Sequence, residues 1–189
     1  MDNRLQILRE SFTDTVIVWK EEYPYFVHPL TDGVPRLDTT LLKAVTELII
    51  EMVDWEQIDV ILGIEAMSLP LVATVSMMSN TPMLIARKRA YGMEGEEVVN
   101  QETGYSKGKL YLNQLSENDR VLIIDDVIST GGTIDAILHG VAKTGAKVNE
   151  VVIIVEKGEN MLELAEKHGT KISSLVKIKM NEDGTVMVE

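Results

Sequence analysis

The stretch at 121–133 reads VLIIDDVISTGGT. Four apolar residues lead into two adjacent carboxylates, Asp125 and Asp126, and then into a loop of hydroxyls and glycines: Ser129, Thr130, Gly131, Gly132 and Thr133. The apolar run predicts a strand over 120–125. TIDAILHGVAKTG after it predicts a helix that starts near Gly132 and closes at Gly145. A loop between a strand and a helix points backbone N–H groups outward at a helix N-terminus, which favours an anion. The glycines permit close backbone approach, and the three hydroxyls add donors. A Walker A loop is excluded, because no GxxxxGK[ST] is present.

Working outward, DVILGI at 59–64 predicts a second buried strand, and AMSLPLVATVSMMS a helix with Met67, Leu71, Val75 and Met78 on one face. Pro70 is tolerable only in the first turn of that helix. MLIA at 83–86, VNEVVIIVEK at 148–157 and SSLVKIKM at 173–180 read as further strands. NMLELAEKHG reads as a helix ending at Gly169. Strands that are apolar throughout, alternating with helices, imply a parallel sheet covered on both faces. The expected class is a doubly wound α/β fold in one domain, residues 1–189. Its ligand should lie at the C-terminal ends of the strands. The residues to examine are therefore Glu65-Ala66-Met67, Arg87-Lys88-Arg89, the 125–133 loop and Glu156-Lys157.

Two segments break the alternation. Residues 91–114, with glycines at 92, 95, 104 and 108, predict a mobile two-stranded flap. Residues 1–35 hold three of the five prolines and the aromatics Tyr23, Tyr25 and Phe26, and predict a cap over the strand ends.

Composition narrows the function classes. The chain has 189 residues, 45% hydrophobic and 25% charged, as in an ordinary globular domain. No apolar run reaches the roughly 18 residues of a membrane span. The charged N-terminus MDNRLQILRESFTD lacks a signal-peptide core, so the expected location is the cytoplasm. The absence of cysteine excludes disulfides and thiolate metal sites. A net charge of −12 opposes nucleic-acid binding. Against that background Arg87, Lys88 and Arg89 stand out, either as an anion site or as a solvated charge run. His28, His139 and His168 are far apart in sequence, with no metal-ligand spacing. His28 is placed near the ligand pocket, and the other two on helix surfaces.

Ionised carboxylates accept hydrogen bonds, so Asp125 and Asp126 suit the hydroxyls of a sugar or a Mg2+ ion, not a phosphate. A phosphate loop beside such carboxylates describes a ribose 5-phosphate. The alternative is a capped helix with two solvated aspartates.

VLIIDDVISTGGT resembles the PRPP-binding motif of the type I phosphoribosyltransferases. YFVHPLTDGVP, GIEAM, ARKRAYG and GYSKGKLYLN extend the likeness over most of the chain, toward the archaeal hypoxanthine phosphoribosyltransferase group, itself related to adenine enzymes. The resemblance implies a Mg2+-dependent homodimer that joins a purine, hypoxanthine or guanine, to PRPP and releases pyrophosphate. It implies that Asp125 and Asp126 bind the ribose hydroxyls and that 129–133 cradles the 5′-phosphate. Backbone amides of Glu65, Ala66 and Met67, in a loop that often holds a non-proline cis peptide, would face the diphosphate. Arg87 and Lys88 would neutralise it, joined on flap closure by Tyr105, Ser106 and Lys107. Tyr25, Phe26 and Val27 would cover the base, and Lys157 would donate to a purine oxygen unless it is a plain surface lysine. The related hypoxanthine-guanine enzymes carry an aspartate where this chain has Ser129. Glu102 is then the candidate proton acceptor, if it is not simply solvent-facing. Two other readings stay open: an adenine enzyme of the same fold, and a PRPP-sensing regulator. The regulator would usually need a DNA-binding segment and a basic face, which the sequence lacks.

Overall fold

The computed structural model describes residues 2–13, 15–20, 23–102, 107–181 and 185–189. The chain opens with α1 (Asn3–Glu10), a hairpin of β1 (Val16–Lys20) and β2 (Tyr23–Val27), the short α2 (Pro29–Asp32) and α3 (Thr39–Met52). A 3-10 turn at Trp55–Gln57 leads to β3 (Val60–Ile64), α4 (Ser68–Ser79) and β4 (Met83–Ala86). A second hairpin follows, β5 (Glu97–Glu102) with β6 (Lys107–Leu112), at the place expected for the flap. Then come β7 (Arg120–Ile128), α5 (Gly132–Lys143), β8 (Lys147–Lys157), α6 (Met161–His168), β9 (Lys171–Met180) and β10 (Val186–Val188).

The central sheet has the order β10-β9-β8-β7-β3-β4. Five strands are parallel, and only β10 runs antiparallel, against β9. This is the doubly wound architecture read from the sequence. The parallel strands feed two cores because successive side chains point to opposite faces. Leu122 and Ile124 of β7, with Val152 and Ile154 of β8, pack on Leu8, Val45, Ile49, Leu71 and Val75 from α1, α3 and α4. Val121 and Ile123, with Val151 and Ile153, pack on Ile134, Ile137, Val141 and Leu164 from α5 and α6.

The helix α4 keeps Pro70 in its first turn, but its buried face is Ser68, Leu71, Val72 and Val75. Met78, expected on that face, is 53% exposed. The strand β7 runs three residues past its expected end, so Asp125 and Asp126 lie inside it, with Asp125 beside Ile153 and Val127 beside Val155 of β8.

The root of the flap hairpin belongs to the second core. Val99 and Leu110 are Cα partners across it, and both are buried. Helix α5 lies so close that a Cβ on Gly140 would meet Val99 Cγ2 at 2.3 Å and Leu112 Cδ1 at 3.0 Å. Glycine at 140 is therefore a condition of that packing, despite its unfavourable helix propensity. Among the described residues no helix is long and apolar enough to cross a membrane.

Candidate active site

The loops that leave β3, β4, β7 and β8 gather at one end of the sheet. After β7, Gly131 adopts a left-handed φ of 81° and turns the chain into α5. A Cβ there would lie 2.3 Å from Leu164 Cδ1, so α6 packs directly under the loop. After β8, Gly158 has φ 123°, and a Cβ on it would lie 2.9 Å from the Ser129 carbonyl oxygen. Each of the two loops thus shapes the other. Thr133 Oγ1 accepts a hydrogen bond of 2.6 Å from Gln101 Nε2 of β5.

These loops enclose a cavity of about 220 Å³. Residues 129–133 line it together with Tyr25, Phe26, Thr31 and Lys157. Lys157 Nζ stands 5.4 Å from the centre of the Phe26 ring. Tyr25 donates 2.8 Å to Asp32 Oδ1, which fixes its ring at the rim. Val27 does not line this cavity; it pairs with Val16 in the first hairpin. Of the expected PRPP and base residues, Ser129 to Thr133, Tyr25, Phe26 and Lys157 come together there, whereas Asp125 and Asp126 do not line it.

Asp125 is 6% exposed. Burial raises its carboxyl, and it raises the Asp126 carboxyl further because Asp125 faces it. Strict alternation slips by one residue across the pair: Ile124 and Val127 both pack on the first core, and Ile128 on the second. Neighbouring carboxyls, which a regular strand would point apart, are thereby brought to interact.

On the other side of the sheet centre, the Glu65–Ala66 peptide is cis. One expectation needs correction. The Glu65 amide donates to Ala86 O at 3.0 Å, extending the β3–β4 ladder by a step, so it is not available to a diphosphate. The amides of Ala66 and Met67 are left for that role. The Glu65 side chain instead ties two strand ends together. Its Oε2 accepts 2.8 Å from Arg87 Nε and 2.9 Å from the Lys88 amide. The Lys88 bond and the Arg87 charge, working against partial burial, hold the Glu65 carboxyl below its ordinary value. Arg87 also exchanges backbone hydrogen bonds with Tyr111 of β6, at 3.0 and 2.8 Å. Lys88 is exposed. Arg89 is exposed too, with its guanidinium 5.8 Å from the Tyr91 ring centre.

The phosphoribosyl transferase domain family matches residues 37–184. The chain belongs to that family. The hypoxanthine/guanine phosphoribosyltransferase of Aciduliprofundum boonei is 46% identical over 184 residues, 97% of this chain and 99% of that one. The enzyme of the same name from Methanotorris igneus is 47% identical over 182 residues, covering 96% and 99% of the two chains. Among solved structures, an adenine phosphoribosyltransferase of Saccharomyces cerevisiae superposes with a TM-score of 0.74 at 17% identity, over 93% of this chain and 99% of that one. At that identity it speaks for the type I phosphoribosyltransferase fold alone.

Within this transferase frame, Glu102 closes β5 and Lys107 opens β6, while Tyr105 and Ser106 lie outside the described residues. His28 is a core residue and does not line the cavity. It is fully buried, stacked on Phe12 at 4.1 Å, with Nε2 3.0 Å from Ser11 Oγ and Nδ1 accepting from the Leu30 amide. Burial pushes its pKa down to about 4. His139 and His168, read as unrelated, have ring centres 4.7 Å apart. Sequence reasoning did not find the Glu65 carboxylate, Gln101 or Leu164 as site-forming groups. Glu65 next to an apolar strand end was the one available signal.

Proposed function

We propose that this transferase makes IMP and GMP from PRPP with hypoxanthine and guanine. The observation that carries the proposal is one cavity lined both by a phosphate loop, 129–133, and by a cation, Lys157, over the Phe26 ring. One end suits a 5′-phosphate. The other suits a flat ring bearing an oxygen acceptor, because lysine has donors and no acceptor. Relatives named hypoxanthine/guanine phosphoribosyltransferase at 46 and 47% identity support the same substrate class.

In this reading Asp125 and Asp126 accept from the ribose hydroxyls. The C1′–O bond to the diphosphate breaks, and a bond from the purine nitrogen to C1′ forms through an oxocarbenium-like state. The leaving diphosphate is stabilised by the Ala66 and Met67 amides and by Arg87 and Lys88. The purine proton passes to an acceptor, for which Glu102 is the candidate because Ser129 supplies no carboxylate. Tyr105, Ser106 and Lys107 cover the diphosphate on closure, and Tyr25 and Phe26 cover the base. The oxygen-only donors of buried Asp125 and half-buried Asp126 fit Mg2+, which would neutralise diphosphate charge when it arrives with PRPP. We further propose a cytoplasmic homodimer, which light scattering checks.

Purified protein with Mg-PRPP and each of hypoxanthine, guanine and adenine tests the reading. IMP and GMP are the expected products. Preferential AMP formation would overturn the role given to Lys157.

A further inference from the structure

Outside the lining of the cavity, where α5 and α6 pack together, three potential ligands meet. Asp135 lies in the first turn of α5, His139 one turn later, and His168 is the last residue of α6. His168 Nε2 is 2.6 Å from Asp135 Oδ1, and His139 Nδ1 is 3.7 Å from the same oxygen. The two imidazoles meet edge to face. One ligand atom from each residue falls within 4.8 Å of the other two. Spacing of i and i+4 puts Asp135 and His139 on one helix face, and the packing of α6 brings the third donor to it.

We propose that Asp135, His139 and His168 bind a transition-metal dication of the Zn2+ class, at a site separate from the one that serves PRPP. The donor set, two imidazole nitrogens and one carboxylate oxygen, is that of an open three-ligand site. It does not suit Mg2+, which takes oxygen donors. Access is open, since His139 is 59% exposed. The carboxylate at present serves Lys167 Nζ, 2.7 Å from Oδ1, and His168. A bound metal takes the place of the proton between His168 and Asp135 and releases the Lys167 ammonium to solvent, which its 50% exposure allows. The metal then ties the first turn of α5 to the end of α6. Leu164 of that same helix packs under Gly131, so the clamp bears on the floor of the phosphate loop.

The test uses the full-length protein, stripped of metal, without PRPP or base, so its outcome is independent of the transferase reading. Co2+ is titrated and followed by its visible absorption, then displaced with Zn2+, and melting is followed in parallel. Expected is a stoichiometric Co2+ spectrum and a melting temperature higher by roughly 5–10 °C at saturating Zn2+. His139→Ala and His168→Ala each weaken Co2+ binding at least about tenfold. Lys167→Ala, which removes the competing cation, tightens it. Because His139 is exposed, its substitution leaves folding intact and keeps the test open. No Co2+ spectrum at millimolar metal, or equal affinity in wild type and in both histidine variants, overturns the proposal.

Discussion

Arg87 Nε lies 2.8 Å from Glu65 Oε2, so the ends of β3 and β4 are bridged by a carboxylate that also holds the next backbone amide, that of Lys88. A guanidinium fixed in this way loses less conformational freedom when an anion arrives.

Replacing the carboxylate tests that link. Glu65→Gln keeps an oxygen acceptor but drops the charge. KM for PRPP should rise about tenfold, with KM for the purine little changed. Steady-state kinetics with each substrate varied in turn checks the split. A shift confined to the purine would place Glu65 elsewhere in the chemistry.

The facing pair Asp125 and Asp126 should cost the free protein stability. Asp126→Asn removes the second ionisable carboxyl that faces Asp125, and its melting temperature in metal-free buffer should exceed that of wild type. Both carboxyls are raised in the fold. Their stabilisation is therefore complete below the ordinary value of 3.8 and is lost as pH rises through the raised value. The gain in the variant should be largest at neutral pH and fade toward that ordinary value. PRPP affinity should fall in the same variant, as isothermal titration would show.

Lys157→Gln replaces a pure donor with a group that can also accept. Efficiency with hypoxanthine should fall by roughly 10²-fold while the ratio of adenine to hypoxanthine turnover rises. KM for PRPP should hold. An unchanged base ratio would show that Lys157 does not read the purine.

His28 gives a pH dependence of the opposite sign. Its folded pKa is about 4 against an ordinary 6.5. The unfolded chain therefore takes up a proton that the fold refuses, and stability falls as pH drops from 6.5 toward 4, by up to about 3 kcal/mol. Urea midpoints across that range measure it. Proton NMR should find the His28 ring silent across the neutral range.

Gly140→Ala places a methyl where Val99 Cγ2 already stands. The expected loss is about 1–3 kcal/mol, against the gain in helix propensity that alanine normally brings. Thermal melts decide the sign.

The sequence made the parallel sheet readable because β3, β4, β7 and β8 are apolar on both faces, a pattern that few other arrangements tolerate. The loop at 129–133 was readable for a local reason: its strand, glycines and helix are consecutive. What escaped was non-local. Glu65 meets Arg87 across 22 residues, and His139 meets His168 only because α5 and α6 pack side by side. The end of β7 was misjudged because aspartate has low strand propensity, whereas pairing with β8 carries the backbone through to Ile128. The Glu65 amide was assigned to an anion because a sequence does not reveal that the ladder reaches Ala86 O one residue past the strand.

The buried Val99–Leu110 pair has a mechanical meaning. It is a cross-beam that fixes the hairpin to the second core. On the β5 side the paired residues past the beam run from Asn100 to Glu102, an arm of roughly 10 Å. Loosening the root of the hairpin therefore means opening the core itself.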